Sequence, residues 1–163
     1  RGSVIPRYRE LLLQGQKALP VTDEKMTRFW ISLQQGVDFV AKTFSRMHGG
    51  EIFVPKLPSI RILDLAKAMN GDNEVTIVGI GPGEKIHELM IPEDSAHMTI
   101  EFDDFYIIRP EKNSHTSDVN YLVTKIGENG KSVPSNFEYS SGTNQHFLNH
   151  EEILEFNRIL EQS

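Results

Sequence analysis

Residues 1–30 read RGSVIPRYRELLLQGQKALPVTDEKMTRFW. They combine a helix, a turn into an extended segment, and one cation set among apolar neighbours. Residues 4 to about 14 have helical spacing, and Pro6 falls in the first turn, where its missing N–H has no intrahelical partner to lose. Gly15 is the expected stop. Residues 19–23 (LPVTD) then read as extended before turning. In 26–30 (MTRFW), Arg28 sits within an apolar run. A guanidinium in such surroundings needs an anion, and its planar donor fork fits phosphate oxygens well. A structural ion pair with an acidic neighbour meets the same need, so both readings stand at this point.

Outward from this stretch, Ser32 and Gln35 have capping-box spacing. Leu33, Val37, Val40, Ala41 and Phe44 follow as one apolar helical face. The Gly49-Gly50 pair breaks the chain before a short strand at 51–55. Ser59 is placed to cap a helix over about 60–69 that buries Ile62, Leu65, Ala66 and Met69. A strand is expected at 74–78, a loop at 79–83 (GIGPG), a short helix from about 84 to 90, and a strand at 105–108. Residues 111–144, rich in Asn, Ser and Gly, read mostly as loop. Near the end, Asn149 and Glu152 repeat the capping-box spacing, with Leu148 and Ile153 at the staple positions. Ile153, Phe156 and Leu160 would face inward. No internal repeat or coiled coil is present. The pattern predicts a small mixed α/β fold, organised as 1–110 and a loop-rich extension over 111–163 that ends in a helix.

Composition narrows the function classes. A chain of 163 residues with 38% hydrophobic content can bury a modest core. Its apolar runs are far shorter than the roughly 20 residues that span a bilayer, so no membrane segment is expected. Nor does a secretory signal follow residues 1–6. The first residue is not Met, which reads as truncation or processing, an appearance that an expression remnant shares. Cysteine is absent, excluding disulfides, thiol nucleophiles and thiolate metal sites; this is compatible with a cytoplasmic setting. Residues 1–70 hold 11 Lys/Arg against 6 Asp/Glu, whereas 71–163 hold 6 against 17. The basic first part suits an anionic small molecule, and the acidic remainder argues against a nucleic-acid surface.

Few other residues carry chemistry. The 79–85 loop lacks both Walker and dinucleotide glycine spacing. Glu84, at the expected helix start, is placed either to accept hydrogen bonds from sugar hydroxyls or to favour the helix dipole. His87, three residues on, reads as a structural histidine, with a general base as the alternative. The six histidines show no metal-ligand spacing, and no Ser lies in a nucleophile elbow.

Taken together, residues 1–40, GGEIFVPKLPSIRILDLAKAM, VGIGPGEKIHELMIPED, FYIIRP and EYSSGTNQHFLNHEEI resemble the C-terminal half of the inverting UDP-N-acetylglucosamine 4,6-dehydratases. These are a branch of the extended short-chain dehydrogenase/reductase family. The resemblance covers essentially the whole chain. It is closest to bacterial enzymes that begin pseudaminic-acid synthesis, with capsule-sugar dehydratases nearby. It implies the substrate-binding portion of an extended Rossmann-type enzyme whose Rossmann core, with NADP and the catalytic Tyr and Lys, precedes this region. Tyr121 and Lys125 match the bare Tyr-x-x-x-Lys spacing but lie outside any cofactor unit, and no catalytic or cofactor-binding residue is assigned here.

The resemblance makes Arg28 a diphosphate ligand and Arg1 and Val4 nucleotide-side contacts. It has Pro20 and Val21 shape the uracil pocket, Thr22 offer a polar contact, and Glu84 receive the ribose hydroxyls. Gly81 stands where the related loop usually carries Arg, removing a phosphate-binding charge. The implied reaction takes hydride from sugar C4 to NADP, eliminates water across C5 and C6, returns hydride to C6 and inverts C5. Implied partners are a UDP-sugar, the Rossmann half and further copies of the chain. The chain alone is expected to be inactive. The alternative is a non-catalytic nucleotide-sugar-binding or protein-interaction module.

Overall fold

The computed structural model describes residues 4–71, 74–111 and 118–161. The fold is mixed α/β and divides into two units, the first drawn from 1–30, 58–88 and 141–163, the second from 31–57 and 89–140.

In the first unit, helix α1 (Val4–Leu13) buries Ile5 and Tyr8 and stops at Gly15, whose φ of 81° is open to glycine at no steric cost. Strand β1 (Leu19–Val21) pairs in parallel with β5 (Val75–Ile77), while β2 (Thr27–Phe29) runs antiparallel to β4 (Ser59–Arg61). Helices α3 (Ile62–Asn70) and α4 (His150–Glu161) complete the unit. Its core gathers Ile5, Tyr8, Leu19, Val21, Ile60, Leu65 and Ile153. The Asn149–Glu152 capping box closes at both bonds, 2.8 and 3.0 Å, and the staple residues Leu148 and Ile153 are both buried. Phe156 meets Trp30 edge to face at 6.2 Å. The side chain of Leu160 lies outside the described residues.

Two sequence expectations fail here. Ser59 caps no helix: it is a fully buried strand residue whose N–H donates to the His146 carbonyl and whose carbonyl accepts from Leu148. With both backbone groups committed sideways, the helix starts only at Ile62, whose N–H donates to Met26 O. The helix expected over 84–90 is also absent. Ile86 O accepts from Thr27 N and Glu88 O from Ser141 N, so these carbonyls serve tertiary partners and not an i+4 N–H. Residues 89–91 instead form strand β6 (Leu89–Ile91).

The second unit is built on an antiparallel sheet of order β3-β8-β7-β9, formed by β3 (Ile52–Pro55), β7 (Thr99–Glu101), β8 (Phe105–Ile108) and β9 (Lys131–Ser132). Strand β6 pairs separately with β10 (Tyr139–Ser140). Helix α2 (Leu33–Arg46) begins at the expected capping box, with Ser32 and Gln35 exchanging both bonds. Its apolar face, however, is exposed: Leu33 is 85% and Phe44 71% accessible. The helix instead packs through Phe39 and the buried Arg46. Arg46 lies 4.4 Å over the Phe105 ring and pairs with Asp104 and Glu128. Among the described residues, no helix is long and apolar enough to cross a membrane.

Candidate functional site

A cavity of about 980 Å³ opens within the first unit, at the upper end of the roughly 300–1,000 Å³ usual for small-molecule sites. Helix α1 contributes Val4, Arg7 and Glu10 to its wall; the segment at β1 contributes Pro20 and Thr22; β2 and the residue after it contribute Arg28, Phe29 and Trp30. The loop after β5 adds Gly79, Gly81 and Glu84.

Five of the seven sequence-assigned residues therefore line this one cavity: Val4, Pro20, Thr22, Arg28 and Glu84. Val21 does not, because its side chain is fully buried in the core and only its carbonyl reaches the loop, accepting from Val78 N. The alternation of a strand explains the split, since Pro20 and Val21 must point to opposite faces. Arg1 lies outside the described residues.

The two readings of Arg28 turn out to coexist. Its Nε is 3.4 Å from Glu88 Oε1, while Nη1 donates to the carbonyls of Thr27 at 2.7 Å and Ile86 at 3.2 Å. These bonds fix the guanidinium, and its remaining Nη2 donors are the ones left for a ligand. Glu84 does not start a helix. Its Oε2 accepts from Gly81 N at 2.9 Å, bracing the loop and leaving Oε1 to accept further hydrogen bonds. His87 is not on the cavity wall. Its Nδ1 is 2.8 Å from Thr27 Oγ1, which is in turn 2.7 Å from the buried Ser141 Oγ, and Glu88 N donates to that same Ser141 oxygen. This network pins the 86–88 segment beside β2, which favours the structural reading of His87. Among the described residues, no cluster of His, Asp or Glu could hold a metal.

Tyr8 was missed in sequence reading, although its place on the inward side of α1, four residues after Val4, was the available signal. Its hydroxyl donates to Pro20 O at 2.8 Å, tying the helix to the cavity floor. Burial pushes the phenol up to about 12, against the opposing charge of Arg7. In the second unit, burial and then Glu101 and Tyr139 push Tyr106 to about 12 as well. An unfolded chain ionises these groups near 10. It therefore holds fewer protons than the native state between pH 10 and 12, so this stabilisation is complete below about pH 10 and is lost as pH rises toward 12. Denaturant midpoints followed upward from neutral pH should decline above about 10, and Tyr8→Phe should remove part of that decline. A flat profile would contradict the burial described.

A family profile described as polysaccharide biosynthesis protein matches residues 1–110. Over 155 residues the chain is 47% identical to a UDP-N-acetylglucosamine 4,6-dehydratase (inverting) of Campylobacter jejuni, covering 95% of the chain and 46% of the relative. A UDP-glucose 4-epimerase of Rickettsia conorii is 35% identical over 159 residues, covering 95% and 45%. The X-ray structure of Pen from Bacillus thuringiensis aligns with 99% of the chain and 46% of that protein, at a TM-score of 0.73 and 28% identity. The chain thus spans about half the length of the relatives it matches, and the motif-based resemblance to inverting dehydratases is borne out.

Proposed function

Since the chain belongs to the polysaccharide biosynthesis protein family, we propose that it is the substrate-binding part of a C5-inverting UDP-N-acetylglucosamine 4,6-dehydratase. The observation that carries this reading is the convergence of Val4, Pro20, Thr22, Arg28 and Glu84 on one cavity. In this reading Arg28 grips the diphosphate through the donors that Glu88 and the two carbonyls leave open. Pro20 and Thr22 border the base, and Glu84 accepts from the ribose hydroxyls. The energetic task of these groups is orientation, because one sugar has to stay aligned through oxidation, elimination and return of hydride.

The chain's own residues do not fit NADP. Among those described, parallel pairing is limited to β1 with β5 and one isolated bridge between Ser59 and Phe147, and the glycine loop at 79–83 has no dinucleotide spacing. No hydride step is therefore assigned to any residue here. The reading gives NADP, with the catalytic groups, to a Rossmann half. The exposed face of α2, with Leu33, Val37, Val40 and Phe44, offers that half an apolar surface on which to pack. Self-association and a cytoplasmic setting belong to the same reading.

Mass spectrometry tests it. The chain joined to its Rossmann half, incubated with UDP-N-acetylglucosamine and NADP, should yield a sugar nucleotide lighter by one water. The 163-residue chain alone should leave the substrate unchanged. Water loss catalysed by the chain alone, or none by the joined protein, would contradict the assignment.

A further inference from the structure

The charges around Arg28 leave a diphosphate under-neutralised. Nε faces Glu88 at 3.4 Å and Nη1 is spent on two carbonyls, so the cation is already paired and presents two of its five N–H donors. A diphosphate brings at least two negative charges, and a single guanidinium that shares its charge with a carboxylate cannot match them.

Among the described residues, the other cation lining the cavity is Arg7. It sits on α1, one residue before Tyr8, whose bond to Pro20 O fixes that turn of the helix at the cavity. Arg7 is exposed, and among the described residues its side chain has no hydrogen bond or ion pair. Of the two acids on the wall, Glu84 is bonded to Gly81 N and Glu10 accepts from Gln14 Nε2. The loop after β5 supplies Gly79 and Gly81 to the lining, which carry no charge.

We infer that Arg7 is the second phosphate-binding cation of this cavity, donating its open fork to the non-bridging oxygens of a nucleoside diphosphate while Arg28 holds them from β2. The inference rests on the reading of the cavity as a UDP-sugar site. Arg28 is the fixed ligand, held by three contacts. Arg7 is the one that swings in, since nothing in the described structure restrains its end.

Titration calorimetry on the full chain with UDP and with uridine separates the possibilities. Arg7→Ala should weaken UDP on the order of tenfold, the scale of a lost charged hydrogen bond, and leave uridine unchanged. Arg7→Lys should recover part of the loss, because an ammonium keeps the charge without the planar fork. UDP affinity unchanged in Arg7→Ala, with Arg28→Ala impaired, would overturn the role of Arg7 and leave the UDP site standing. Equal losses for UDP and uridine would make Arg7 a support of α1 and overturn it too. No UDP binding by the unmodified protein would remove the reading of the cavity itself.

Discussion

Arg28→Ala should weaken binding of both UDP and UDP-sugar on the order of tenfold or more, the scale set by charged hydrogen bonds of about 1.5–3 kcal/mol. The substitution removes the phosphate donors and also strips Glu88 of its partner, 3.4 Å away. That carboxylate would then face an incoming polyanion without compensation, so the loss should exceed that of a simple deletion. Arg28→Lys should recover only a part, since one ammonium cannot span the Thr27 and Ile86 carbonyls and a phosphate together. NADP binding in the joined protein should stay nearly unchanged. Circular dichroism confirming an intact fold makes the comparison valid. Unchanged UDP affinity in a folded Arg28→Ala would reduce Arg28 to a structural ion-pair residue.

Leu65→Ala should cost about 2–5 kcal/mol of stability, the range for a large-to-small change at a site that cannot collapse. Leu65 is fully buried on α3, within the cluster that also holds Leu19, Val21 and Ile153. The hole would open where α1, α4 and the β1 strand share one core. Lys67→Ala, at an exposed position of the same helix, should stay within about 0.5 kcal/mol. Urea midpoints at constant slope provide the measure. A Leu65→Ala protein no weaker than Lys67→Ala would show that this core is not packed as described.

What the sequence made legible was mostly local. Both capping boxes, Ser32 with Gln35 and Asn149 with Glu152, form as read, because each closes within four residues. The stop at Gly15 and the strand at Phe105–Ile108 are local in the same way. The failures occur where distant partners take over the backbone. Ile86 and Glu88 surrender their carbonyls to Thr27 and Ser141, and Ser59 surrenders both its groups to His146 and Leu148. Neither demand is visible from neighbouring residues. Periodicity shows that α2 has an apolar face but does not say what covers it.

The site was legible unevenly. An arginine within MTRFW signalled an anion, and the structure supplies one in Glu88 while also placing Arg28 on the cavity. Resemblance grouped Pro20 with Val21, whereas strand alternation puts only Pro20 on the wall. Tyr8 and Arg7 escaped notice because a tyrosine and an arginine in an amphipathic helix are ordinary residues until their neighbours across the cavity are known. Gly81 removes a phosphate-binding charge from the loop, and the cavity lining carries a cation on α1.

The most direct test of the cavity as a UDP-sugar site is amide NMR of the 18.5 kDa chain during titration with UDP-N-acetylglucosamine. Saturable shifts are expected at Val4, Arg7, Thr22, Arg28, Gly81 and Glu84, which line the cavity. Saturable shifts confined to the sheet of β3, β8, β7 and β9, with that lining unmoved, would contradict the UDP-sugar site.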